Sequence, residues 1–100
     1  MAMLHTVNKS PYQCDTLESC LNHVGDGDVV LLIEDGVYAA MKGGKAAELI
    51  ANANGVKICV LSADVKARGL EGKLIDGVEV VDYGGFVDLV VETDKTQAWL

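Results

Sequence analysis

Basic residues are few in this 100-residue chain: 8 lysines and arginines stand against 15 aspartates and glutamates, a net charge of −7. No run of lysine or arginine stands out. A chain this acidic is repelled by phosphate backbones, which argues against direct contact with nucleic acid. Cysteine is also scarce, with only Cys14, Cys20 and Cys59 present. An odd count without framework spacing predicts reduced thiols in a reducing compartment, and so a cytoplasmic protein. No apolar stretch is long enough to span a membrane. Met1 to Thr6 lack the basic region, apolar run and cleavage site of a signal peptide. The one proline, Pro11, falls in the turn-forming Asn8-Lys9-Ser10-Pro11.

Apolar residues, by contrast, are plentiful. They make up 50% of the chain, and the mean hydropathy is positive. That is too apolar for disorder. The length predicts a single domain over 1–100, with one core and little margin. So much apolar content in so small a chain predicts surface that partner subunits cover.

Hydrophobic spacing orders the chain. Leu4 to Val7 reads as a strand. Asp15 or Thr16 then caps a helix, and Asp15 with Glu18 has the spacing of a capping box. Leu17, Cys20, Leu21 and Val24 share one helical face. Val29 to Ile33 is an unbroken apolar run, as in a parallel strand buried on both faces, and Glu34-Asp35-Gly36 ends it. Val37 to Met41 reads as a short helical turn. Lys45 to Asn54 reads as a helix with Ala46, Leu49, Ile50 and Ala53 inward. Val56 to Leu61 is a third strand. Ser62 or Asp64 caps a short helix that stops at Gly69, and a polar connection spans Glu71 to Gly77. Val78 to Val81 is a fourth strand. Gly84 to Thr93 reads as a helix with Phe86, Leu89, Val90 and Thr93 aligned. Thr96 to Leu100 is an edge strand or a docking arm. This alternation predicts an α/β fold: a mainly parallel sheet of four to five strands, with helices on both faces.

Ligands of open α/β sheets sit at the carboxyl ends of the strands. Those ends are Asn8-Lys9-Ser10, Glu34-Asp35-Gly36, Ser62-Ala63-Asp64 and Asp82-Tyr83-Gly84. No glycine-rich dinucleotide turn follows the first strand. Gly43-Gly44-Lys45 lacks the first glycine of a phosphate loop, and Ala46 stands where Ser or Thr would bind magnesium. A flavodoxin-like nucleotide or flavin module is disfavoured on that ground. Glu34 and Asp35 are too few ligands for a metal, and read as solvated turn residues. His5 reads as a hydrogen-bonded packing residue. His23, near a helix end, suits the partial negative charge there. No Ser-His-Asp or Cys-His pairing is supported.

Cys59 lies inside an apolar strand and reads as a small buried hydrophobe. Cys14 precedes a helix start, which favours a thiolate, although Asp15 opposes it. Cys20 admits two readings: a packed core thiol, or a thiolate near a helix start that handles sulfur. Cys14 and Cys20 are six apart, on different helical faces, and no CxxC pair exists.

Several segments together resemble the DsrH/TusB family of sulfur-relay subunits. They are Leu4-His5-Thr6-Val7-Asn8-Lys9-Ser10-Pro11, Glu34-Asp35-Gly36-Val37-Tyr38-Ala39-Ala40, Asp64-Val65-Lys66-Ala67-Arg68-Gly69, Val81-Asp82-Tyr83 with Phe86-Val87, and Gln97-Ala98-Trp99. The resemblance implies a compact DsrE/F/H-like α/β subunit, not catalytic alone, in a heterohexamer of three related chains. Its partners would be DsrE/TusD-like and DsrF/TusC-like subunits, with a DsrC/TusE-type acceptor downstream. Such complexes pass persulfide sulfur between proteins, and the main sulfur-carrying cysteine belongs to the DsrE/TusD partner. One branch serves thiolation of the tRNA wobble uridine; the other serves oxidation of stored sulfur. Ser19-Cys20-Leu21 resembles the sulfur-oxidation members, which makes Cys20 the candidate sulfur-binding thiol and points to that branch. The alternatives are a TusB-like subunit of the tRNA-thiolation relay and a purely structural subunit with no sulfur-carrying thiol. Thiol exchange across protein contacts needs no cofactor pocket, so neither cofactor nor metal is expected.

Overall fold

In the computed structural model, which describes residues 2–44, 46–53 and 55–99, five strands form one parallel sheet. The elements in chain order are β1 (Met3–Val7), α1 (Thr16–Leu21), β2 (Val29–Leu32), a 3-10 helix (Glu34–Ala40), α2 (Ala47–Ala51), β3 (Lys57–Leu61), α3 (Ser62–Ala67), β4 (Glu79–Val81), α4 (Tyr83–Glu92) and β5 (Lys95–Trp99). The strand order is β4-β3-β2-β1-β5.

That order explains where the helices lie. The steps from β1 to β2, β3 and β4 all run in one direction across the sheet. Right-handed crossovers therefore put α1, the 3-10 helix, α2 and α3 on one face. The step from β4 to β5 runs back across the whole sheet, so α4 falls on the other. The two cores match this division. The larger joins Val7, Val30, Leu32, Ile58 and Val60 of the sheet to Leu17, Cys20, Val37, Ile50 and Val65 of the covering helices. The smaller joins Leu4, Leu31 and Cys59 to Leu89 of α4. All four side chains of β2 are buried, because both faces of that strand are covered. Each large aliphatic side chain so buried contributes roughly 1.5–3 kcal/mol.

Several local expectations change in the folded chain. The capping box at α1 does not form: Asp15 has φ −92 and ψ 20 and makes no side-chain cap. An N-cap carboxylate reaches the first-turn amides only from extended backbone, which Asp15 lacks. Asp82 has that backbone, and its Oδ1 accepts from the Gly85 amide at 2.7 Å. Neither Ser62 nor Asp64 caps α3, since Leu61 occupies the N-cap position. Glu34-Asp35-Gly36 form the first turn of the 3-10 helix. The expected helix over 45–54 is the five-residue α2, and its expected ends, Lys45 and Asn54, lie outside the described residues. The tail is an edge strand, with Met3–Val7 paired to Lys95–Trp99.

Candidate functional site

Cys20 projects from α1 into the larger core and is 0% exposed. Burial, with the Asp28 charge adding to it, pushes its thiol up to about 12. At neutral pH the group is a thiol, not the nucleophilic thiolate. Sulfur exchange at Cys20 requires α1 to move off the sheet. Cys59, in the middle of β3, is buried likewise and pushed up to about 11, mainly by burial. Cys14 is exposed, and none of the three is in a disulfide. It borders a shallow hollow lined also by Pro11, Asp15, Leu17 and Glu18.

Beside Cys20 lies a buried polar network. His5 Nε2 meets Asp28 Oδ2 at 2.9 Å. The Trp99 indole N–H donates to His5 Nδ1 at 3.1 Å. An indole nitrogen can only donate, so Nδ1 is the accepting nitrogen and Nε2 carries the proton towards Asp28. Asp28 accepts twice more: the Met3 amide donates to Oδ1 at 3.0 Å and the Gly25 amide to Oδ2 at 3.1 Å. Burial raises the Asp28 carboxyl, but the hydrogen bonds from His5, Gly25 and Met3 outweigh it and hold the group below its ordinary value. An acid–histidine pair of this kind serves as a general base only when the second ring nitrogen faces substrate. Here Trp99 occupies that nitrogen. The network ties β1, β5 and the entry to β2 together. His5 is the hydrogen-bonded packing residue that its sequence position suggests. The roles of Asp28 and Trp99 went unrecognised in the sequence, because only the parallel register brings them to His5.

His23 Nδ1 lies 2.9 Å from the Ser19 carbonyl at the end of α1, and its ring is 5.4 Å from that of Trp99.

A second cluster occupies the carboxyl ends of β2 and β3. Arg68 donates through Nε and Nη2 to Asp35 Oδ1, at 3.0 and 2.9 Å. Its Nη1 lies 3.6 Å from Asp64 Oδ1. Asp64 Oδ2 accepts the Glu34 amide at 2.8 Å. Glu34 has φ 49, the left-handed region that a side chain disfavours. The Asp64 hydrogen bond satisfies the amide that this conformation exposes. Thus Asp35 and Asp64 brace the loop with Arg68. The segments Glu34–Ala40 and Asp64–Gly69, far apart in sequence, meet here.

A family model described as DsrH like protein matches residues 9–96. The chain belongs to the DsrH/TusB family. Among relatives of this family member, Protein TusB of Enterobacter sp. (strain 638) is 42% identical over 97 residues, covering 97% of this chain and 100% of that protein. Protein TusB of Pectobacterium parmentieri is 40% identical, with the same coverage. The fold is shared more widely. The YchN protein from E. coli superposes with a TM-score of 0.80 at 20% identity, covering 98% of each chain. A Methanobacterium thermoautotrophicum protein of unknown function superposes at 0.75 and 19% identity, covering 97% of this chain and 96% of its own. Cys20 pointed to the sulfur-oxidation branch of the family, but these relatives carry the name of the other branch. Among the described residues, no helix is long and apolar enough to cross a membrane.

Proposed function

We propose that this chain is a TusB-like subunit of a protein-to-protein sulfur relay that serves 2-thiolation of the tRNA wobble uridine. The observation that carries this reading is the full-length match to proteins named TusB, at 42% identity. It works beside TusC-like and TusD-like chains in a cytoplasmic heterohexamer, and the complex hands persulfide sulfur to a TusE-type acceptor. The acidity of the chain fits a subunit that leaves RNA contact to others. Cys20 belongs to the core in this reading, and the sulfur-carrying thiol sits on the TusD-like partner. Burial and the raised thiol pKa of Cys20 support that division of labour.

The test is the thiouridine content of tRNA in the protein's own cells. Deleting the gene is expected to abolish wobble-uridine thiolation, and Cys20→Ala to preserve it at near wild-type level. Small core truncations cost about 1 kcal/mol, so the Cys20→Ala chain should still accumulate. Loss of thiolation in Cys20→Ala, with the subunit folded and assembled, would give the sulfur-carrying role back to Cys20. Normal thiolation in the deletion strain, with failure to oxidise stored sulfur, would move the chain to the other branch.

A further inference from the structure

Among the described residues, α4 is the only helix on its face of the five-stranded sheet. Phe86 and Leu89 turn inward over Leu4, Leu31 and Cys59. On the outer side, helical spacing sets Tyr83, Val87, Val90 and Val91 along one stripe, about 100° wide. They are 63, 60, 43 and 77% exposed. Scattered apolar side chains on a surface need no explanation, but four on one stripe of a ten-residue helix do. Local structure does not ask for them. Valine is a weaker helix former than alanine or the long polar residues usual at solvent positions.

The rim of the stripe indicates what covers it. From Asp82 to Asp94 the chain has four acids, Asp82, Asp88, Glu92 and Asp94, and no lysine or arginine. Asp82 is occupied in capping the helix, and Asp94 Oδ2 accepts the Ala2 amide at 3.1 Å. Asp88 and Glu92 remain beside the valines. The nearby cation, Lys57, faces Glu92 but is itself paired to Glu79 at 2.9 Å, so the rim keeps a net negative charge. A second copy laid on this face would set acid against acid, on a chain already at −7. The same sheet face continues onto β5, where Thr96 and Ala98 stand exposed beside Leu4 and Thr6 of β1. These side chains are small enough for a partner to approach the sheet closely.

We infer that the α4 stripe, continued over Thr96 and Ala98, docks a non-identical subunit that presents an apolar patch rimmed by lysine and arginine. The inference rests on the relay reading and adds to it which face of this chain the companion chain meets. The apolar stripe supplies burial. The acids on its rim select the companion over a second copy and speed the encounter.

The experiment is native mass spectrometry of the tagged full-length chain, purified from its own cells at fixed concentration. The wild type is compared with Val87→Asp/Val91→Asp and with Asp88→Lys/Glu92→Lys. Circular dichroism and thermal melting check each fold. Wild type is expected to carry its two companion chains. The valine variant should lose them at least tenfold with an unchanged melt, and the charge-reversed variant should lose affinity most at low salt. A wild-type chain without companions overturns the relay reading, and this inference with it. Companions retained by both variants leave the relay reading standing and overturn the docking face. A wild-type homodimer that the valine variant splits also overturns it, in favour of self-pairing. If the valine variant does not fold, the charge-reversed one decides: undiminished companion binding overturns the inference.

Discussion

Asp28 accepts three hydrogen bonds, from Met3 on one oxygen and from His5 and Gly25 on the other. Asparagine cannot replace it. Whichever way the amide is turned, its NH2 faces at least one of these donors. Asp28→Asn is expected to cost about 1–3 kcal/mol at neutral pH, the usual penalty for an unpaired buried donor. The pH dependence carries a definite sign. The folded Asp28 carboxyl titrates below the unfolded one, so the native state binds fewer protons there. Its contribution to stability is complete above the ordinary carboxylate pKa of about 3.9. It is lost as pH falls through the lower folded value. Urea unfolding from neutral to strongly acid pH should show a steeper acid limb in the wild type than in Asp28→Asn. Parallel limbs would assign the acid sensitivity to other carboxylates. The packing role of His5 was legible in the sequence, since a lone histidine in an apolar strand needs a partner. Which partner was not, because Asp28 lies in the loop that enters β2 and Trp99 nearly at the other end of the chain.

Among the elements, the connection after β2 is the most constrained. A Cβ at Gly36 would overlap the Val7 carbonyl oxygen, so the first turn of the 3-10 helix can pass the end of β1 only as bare backbone. Gly36→Ala is expected to cost about 1–3 kcal/mol, as overpacking does when backbone must shift. Gly25→Ala is the control, because nothing lies within 4 Å of a Cβ there. The urea midpoint should fall for Gly36→Ala and hold for Gly25→Ala. Equal midpoints would mean that the 3-10 helix slides away at little cost. The sequence shows the glycine but not the carbonyl it passes. Strands β1, β2 and β3 were legible to within a residue or so because apolar runs mark them. Helix ends were less so. Asp15 and Asp82 have equal claims as caps by residue type, and only backbone conformation separates them.

At the scale of the whole molecule, β5 closes the sheet. It pairs with β1 in parallel, and Trp99 anchors it through His5. Four of its five side chains are exposed, so the ladder and the indole hold it rather than a broad apolar face. Truncation before Lys95 would leave β1 with an unpaired edge, which invites strand addition by other chains. The truncated protein is expected to melt lower and to scatter light increasingly with concentration. A monodisperse truncate with an unchanged melt would show that β5 only drapes the edge.

The sequence by itself determined the class of fold. Alternating apolar runs and helical faces, joined by short turns, leave little choice but a parallel sheet with crossover helices. It also determined the family, through segments spread along the chain. The tertiary structure decided the order β4-β3-β2-β1-β5 and, among the described residues, the lone position of α4 on one face. It also decided how deeply Cys20 is buried. Periodicity places a side chain on a face of its own element. What covers that face depends on which distant strand pairs with which, and local spacing carries no record of that pairing.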